Sequence, residues 1–233
     1  MDKTFPSVEA AIADVFDGAT IAFAGFFSAG RPIALTRALA KKGTKNITVV
    51  AQQVGVGNEE LIELVKNRQI KKAISNYPFP RSATKGLAHP FEQAIRKGEI
   101  EMDLFPMGTF AEKLRCAGAG IPAFYTPTGA GTVVAEGKEA RTINGIEVLL
   151  EMALPVDFAF IHAYQGDREG NLIYHYTAQN FNNAMAMAAR ITIAEVENLV
   201  EPGELNSNFI HTPGIFVQRV VKVDREKIVP GIE

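Results

Sequence analysis

Cysteine is nearly absent. The chain of 233 residues holds one, Cys116, so a disulfide framework within the chain is excluded, and the composition fits a reducing, cytoplasmic setting. A lone thiol of this kind reads as a small buried apolar residue. Excess charge is also lacking. The net charge is −2 with no basic block, which excludes the electrostatic footprint of a nucleic-acid binder. The N-terminus MDKTFPSVEA lacks the apolar core of a secretory leader. The uncharged stretch from Ala117 to Ala135 carries four Gly, two Pro and three Thr. That is a poor membrane helix, and it reads instead as a buried, loop-rich segment. The four histidines, His89, His162, His175 and His211, form no His-Glu-x-x-His pattern and have no cysteine pair beside them, so no metal site is expected. His162, in an apolar strand, reads as a satisfied core residue rather than a base. No Gly-x-Ser-x-Gly elbow occurs.

What is present is alternation. Ser7 caps a short helix, VEAAIADVF, and TIAFAG follows as a buried strand. Pro32 suits the first turn of the helix PIALTRALAKKG, which Gly43 stops. The strand NITVVAQQ, a helix EELIELVKN capped by Asn58, the strand IKKAIS, the helix HPFEQAIRKGE, the strand IEMDLF and the helix TFAEKLRCAG complete the first half. Strand and helix recur about every 25 residues, which predicts parallel βαβ units in an open, mostly parallel sheet with helices on both faces. The second half turns β-rich. Asn144-Gly145 marks a hairpin, GDREGN is a polar turn, NNAMAMAA is a small-residue helix with core methionines Met185 and Met187, and VDFAFIHAY, RITIAEV and GIFVQRVVKV are further strands. The expectation is one α/β domain, residues 1–233, with a β-rich elaboration.

Familiar phosphate motifs fail. GFFSAG lacks the Gly-x-Gly-x-x-Gly spacing. Gly131 to Lys138 falls short of a P-loop, because five residues separate its glycines and Glu139 stands where Ser or Thr is needed. Glycine-rich turns remain, at 25–30, 52–57, 106–109, 118–122 and 126–132. The first three follow predicted strands, so they converge at one sheet edge if the strands are parallel. Ligands bind outside the carboxyl ends of such strands, and exposed backbone N–H groups in turns bind anions and acyl oxygens.

With these motifs in view, the chain resembles the A subunit of family I CoA-transferases, such as bacterial 3-oxoacid and 3-oxoadipate CoA-transferases. DGATIAFAGFFSAGRP (17–32) resembles the family signature, an Asp-Gly pair and apolar residues followed by Gly-Gly-Phe, three residues, Gly, one residue and Pro. NITVVAQQVGVG, the long segment 100–139, GDREGNL, TAQNFN and GELNSNFIHTPGIFVQRVVKV follow in register. The resemblance implies a ping-pong transfer of CoA between carboxylic acids, through an acyl-glutamyl anhydride and a glutamyl-CoA thioester. It places that glutamate in a B subunit, within a Ser-x-Glu-Asn-Gly motif that this chain does not contain. Glu136 and Glu139 belong to an A-subunit motif. The resemblance therefore implies a B-subunit partner in an A2B2 heterotetramer, acyl-CoA and small carboxylic acids as substrates, and no permanent cofactor, metal, membrane or nucleic acid. It also assigns CoA contact to Ala24, Gly25, Phe26, Phe27, Ser28, Ala29 and Gly30. The acyl side falls to Gln52, Gln53, Gly55, Met107, Gly108, Gly118 and Gly120. A fused enzyme is not expected, since the chain closes at KIVPGIE.

The chain departs from the family pattern at named positions. Ala24 replaces the first signature glycine, Gln52-Gln53 an Asn pair, Met107 a Gln, and Gln179 an Arg, while His162 and Gln165 stand where relatives commonly carry Lys. Several of these changes remove polarity or positive charge, as Met107 cannot donate a hydrogen bond. They point to an acid less polar than succinate or 3-oxoadipate. Two other functions fit the same residues: an acyl-CoA hydrolase or ring-opening relative, and a non-catalytic ligand-binding protein.

Overall fold

The computed structural model describes residues 1–55, 59–77 and 89–224. Four βα steps build its first half. Strands β1 (Thr20–Phe23), β2 (Ile47–Ala51), β3 (Ile70–Ser75) and β4 (Glu101–Leu104) alternate with helices α2 (Ile33–Lys42), α3 (Glu59–Lys66), α4 (Pro90–Arg96) and α5 (Met107–Gly118), after a short α1 (Val8–Ala11). The apolar strands are short and almost wholly buried, as a parallel sheet covered on both faces requires. Ser7 accepts the Ala10 N–H at the start of α1, but that helix ends at Ala11 rather than running to Phe16. His89 Nδ1 accepts the Phe91 N–H and Pro90 opens α4. Asn58, expected to cap α3, and Val56-Gly57 lie outside the described residues.

The second half divides. An antiparallel sheet of β5 (Ala123–Thr126), β6 (Ala140–Ile143) and β7 (Ile146–Met152) forms the β-rich elaboration, in the order β5-β7-β6. Its hairpin turns at Asn144 (φ 51°) and Gly145 (φ 77°), the paired positive φ values of a type I′ turn. The long strands β8 (Val156–Asp167) and β10 (Ala189–Val200) instead return to the main sheet. With β11 (Arg219–Lys222) they run parallel in the order β11-β10-β8-β1-β2-β3-β4, and the short β9 (Leu172–Ile173) pairs antiparallel with β8. The C-terminal segment GIFVQRVVKV is thus only partly strand, with a 3-10 turn at Gly214–Phe216 before β11.

Each face of the large sheet has its own core. On one face Phe23, Phe158, Phe160 and Ile193 pack with Leu35 and Leu39 of α2, Leu61 and Leu64 of α3 and Phe91 of α4. On the other, Ala159, Ile161, Ala194 and Val196 pack with Phe110 and Leu114 of α5 and Met185 of α6 (Asn182–Ala188). Cys116 is buried in α5, as its composition suggested. The stretch Ala117 to Ala135 corrects the expectation of burial. No residue in it is fully buried, because it forms the end of α5, a strand of the small sheet and its turns, and the small sheet leaves much of its surface open to water.

Helices α5 and α6 approach closely at Gly118, where an added Cβ would lie 2.6 Å from Met187 Cβ and 3.0 Å from the Met187 carbonyl carbon and oxygen. Gly118→Ala should therefore overpack this contact and lower the unfolding free energy by about 1–3 kcal/mol. Gly120 has φ 71° but open space around its Cβ position, so Gly120→Ala should cost only about 1–2 kcal/mol for the left-handed backbone. Urea denaturation of the two variants measures both.

Candidate functional site

The parallel register sends the segments after β1, β2, β3 and β4 to one edge of the sheet. These segments contain Ala24–Gly30, Gln52–Gly55, Asn76–Tyr77 and Phe105–Gly108. With neighbouring strands about 4.8 Å apart, the segments after β1 and β4 stand roughly 14 Å apart, with those after β2 and β3 between them.

The loop Ala24–Gly30 is tightly built. Gly25 has φ 111°, and a Cβ there would meet Arg31 Cγ at 2.8 Å. Phe26 and Ala29 exchange two backbone hydrogen bonds, each 3.0 Å, closing a turn with Phe27 at φ 50°. Gly30 has φ 68°, and a Cβ there would lie 2.6 Å from the Ala178 carbonyl oxygen. The segment after β9 holds this shape. Asn180 Nδ2 donates to the Ala29 carbonyl at 3.2 Å. Asn182, fully buried, donates through Nδ2 to the carbonyls of Gly30 (3.0 Å) and Ala178 (2.7 Å) and accepts the His162 N–H at 2.9 Å. Arg31 ties the end of the loop to α3, through Glu60 at 2.7 Å and Glu59 at 3.1 Å. Burial raises the Glu60 carboxyl above its ordinary value, with the Arg31 charge opposing.

Next along the edge, Gln52 and Gln53 are fully buried and Gly55 is buried beside them. Ser75 Oγ and the Tyr77 N–H both donate to the Gln52 carbonyl, at 2.9 and 3.1 Å. Gln52 Nε2 donates to Asn76 Oδ1 at 3.2 Å. Gln52 Oε1 and Asn76 Nδ2 are buried without a hydrogen-bond partner among the described residues. A buried acceptor and a buried donor left open side by side are rare in folded proteins and suit a polar ligand atom. Met107 and Gly108 are the first two residues of α5, which begins two residues earlier than the expected Thr109, and both are exposed. Gly118 and Gly120 do not join them. They lie at the far end of α5, about 16 Å away at 1.5 Å per residue.

On the other side of β1, β8 and β10 continue past its end. His162 and Glu195 are register partners there. His162 Nδ1 lies 3.0 Å from Glu195 Oε1 and its Nε2 lies 3.0 Å from Glu197 Oε1. Burial alone would lower the His162 pKa, but the hydrogen bonds and charges of the two glutamates outweigh it and raise the pKa to about 9. The other Glu195 oxygen accepts the Leu35 N–H at 2.9 Å, in the first turn of α2. Pro32 is the N-cap of that helix, just before its first turn, and makes no side-chain cap. Ser28, Ala29, Gly30, His162, His175 and Glu197 line a cleft of about 230 Å3 here, and the Tyr164 and His175 rings stack beside it at 3.5 Å. A larger cleft, about 390 Å3, opens near Asn46, Arg68 and Lys71 at the opposite edge. Strand polarity favours the smaller one as a ligand site, because ligands of parallel sheets bind at the carboxyl ends.

Sequence reasoning missed Asn76, Asn182 and Glu195. Glu195 had a signal, since two glutamates two apart in the apolar run RITIAEVE place both on one strand face. Asn182 closes the motif TAQNFN, which gave it no role by itself, and Asn76 had no signal outside the fold.

These features accord with what the chain is similar to. The family model described as Coenzyme A transferase matches residues 5–223, and the chain belongs to that family. The A subunit of the 3-oxoadipate CoA-transferase of Pseudomonas putida is 44% identical over 223 residues, covering 96% of this chain and 94% of its own. The A subunit of the succinyl-CoA:3-ketoacid coenzyme A transferase of Xanthomonas campestris is 46% identical over 220 residues, covering 94% and 88%. In fold, the chain matches glutaconate coenzyme A-transferase of Acidaminococcus fermentans with a TM-score of 0.84 at 20% identity, over 98% of this chain and 77% of that one. It also matches the decarboxylase AibA/AibB with a TM-score of 0.79 at 24% identity, over 97% and 85%.

Asn182→Ala would leave one backbone N–H and two carbonyls without their side-chain partner. Denaturation should show a loss of about 2–4 kcal/mol, and limited proteolysis should cut the loop Ala24–Gly30 faster than in the wild type.

Proposed function

We propose that this chain is the A subunit of a two-subunit CoA-transferase, moving CoA between carboxylic acids. The observation that carries this reading is the match, across nearly the whole length, to the A subunits of such enzymes, including the loop that ends β1. Acyl exchange through a glutamate requires a nucleophile, an acyl pocket and donors aimed at the developing oxyanion. In this reading the nucleophile comes from a B subunit. The glutamates of the segment EGKE support that division. Glu139 is engaged by the Tyr125 hydroxyl at 2.7 Å and by Arg141 at 2.6 Å on the surface, and Glu136 is exposed beside it. The A subunit contributes the loop Ala24–Gly30 for CoA, and the sheet edge carrying Gln52, Gln53, Gly55, Asn76, Met107 and Gly108 for the acyl group. Gly118 and Gly120, too distant for that edge, serve the packing and the exit of α5. An A2B2 assembly brings the two halves of each site together.

The carried acid in this reading lacks a distal carboxylate. Phe26, Tyr77, Leu104 and Met107 remain solvent-accessible along the carboxyl edge, and an apolar acyl chain would cover such surface with gain. The open Gln52 and Asn76 groups supply polar contact at one end only.

Co-expression with the cognate B subunit should give CoA exchange between acyl-CoA and free acids, and this chain in isolation should give none. Transfer by the isolated chain would sink the division of labour, and turnover without any acceptor acid would make the complex a hydrolase. Within the active complex, Met107→Gln should move the ratio of kcat/KM values toward dicarboxylic acceptors by about 5–100-fold, the reach of one pocket contact. An unchanged ratio would refute the apolar acid.

A further inference from the structure

Helix α2 carries its first-turn N–H groups at the end of the loop proposed to bind CoA; the Ile33 N–H donates to the Arg31 carbonyl at 3.0 Å, but the N-cap residue offers no side chain to the others. Pro32 has no side-chain acceptor. The acceptor arrives instead from β10, 160 positions along the chain, as Glu195 Oε2 on the Leu35 N–H. Such a carboxylate both accepts the free N–H and favours the positive end of the helix. Glu195 is fully buried, so its position depends on what holds its other oxygen, and that group is His162.

We propose that His162 is a positioning residue for the loop Ala24–Gly30, clamping Glu195 under helix α2 while Glu197 holds the opposite side of its ring. The inference rests on the functional reading of that loop given above. Both ring nitrogens face carboxylate oxygens at 3.0 Å. A neutral imidazole has one N–H and would turn a lone pair toward one of those oxygens, so the geometry asks for the doubly protonated ring. The backbone supports the same linkage, since the His162 N–H is held by Asn182, the residue that also holds the Gly30 carbonyl. Around His162 stand Glu195 and Glu197 on β10, and Tyr164, His175 and Tyr176 share its cleft. The pKa of about 9 agrees with a clamp that is charged at neutral pH. Its sign is that of a group whose pKa rises on folding. The stability that the clamp contributes is fully present below about pH 6.5, the ordinary histidine value, and is lost as the pH climbs through about 9.

Hydrogen exchange over residues 24–35 of the full-length chain tests the clamp directly. Residues 47–51 of β2 serve as the internal control. His162→Gln should speed exchange over 24–35 by about tenfold or more without changing β2, as expected for local opening. Glu195→Gln should do the same, and His162→Lys, which keeps a cation there, should restore protection. In the wild type, protection over 24–35 should fall as the pH rises from about 6.5 through about 9 and level off above that, after correction for intrinsic exchange. In the complex with the B subunit, His162→Gln should lower kcat/KM and His162→Lys should recover it with the alkaline limb moved upward. Unchanged protection over 24–35 in a folded His162→Gln would overturn the proposal. If that variant does not fold, a wild-type loop that stays protected through pH 10 overturns it equally. Absence of CoA exchange in the wild-type complex would strike the proposed function alone, because the exchange data on the loop judge the clamp without any turnover.

Discussion

Helix α2 begins behind a proline that supplies no side-chain cap, and its first turn follows directly on the tightly turned loop Ala24–Gly30. A helix start buried without partners is costly, so a distant strand must deliver the acceptor. That need couples β10 to the first βα unit. It places a carboxylate in the interior, and it makes a partner for that carboxylate necessary, because a buried carboxylate is tolerated only when paired and hydrogen-bonded. His162, Glu195 and Asn182 are the consequence. The loop Ala24–Gly30 is held by segments far apart in sequence as well as by its own Phe26–Ala29 turn.

The parallel sheet supplies the rest of the frame. Strand polarity alone brings the segments after β1 to β4 to one edge, the carboxyl edge at which parallel sheets covered on both faces generally bind ligands. Solved structures of similar fold include both a CoA-transferase and a decarboxylase. The scaffold therefore does not choose the chemistry, and the residues at the edge do. In this chain those residues combine an open Gln52–Asn76 pair with accessible apolar side chains.

Much was legible beforehand. The alternation of apolar runs with amphipathic helices located β1 to β4 and α2 to α5 within a few residues, because hydrophobic period and turn residues act locally. Asn144-Gly145 marked its hairpin for the same reason. The fate of the later strands was not legible. β8 and β10 read as part of a β-rich second half, whereas they fill the sheet beside β1, since an apolar strand carries no label for its neighbour. The burial expected for Ala117 to Ala135 failed because lack of charge is not burial. Glycines and prolines kept that segment in turns, and the small sheet leaves much of it exposed.

The sequence by itself determined the kind of element at each position, the φ-permissive glycines of the signature loop, and the family to which those motifs belong. These depend on neighbours a few residues away, or on motif identity. Tertiary structure decided which glycines share a site. It set Gly30 against Ala178 and Asn182, and it sent Gly118 to a helix contact at the other end of α5. It also decided that His162 stands between two carboxylates. Those outcomes rest on strand order and register, and pairings of residues 33 or 160 positions apart are set by the packing of the whole sheet rather than by local pattern.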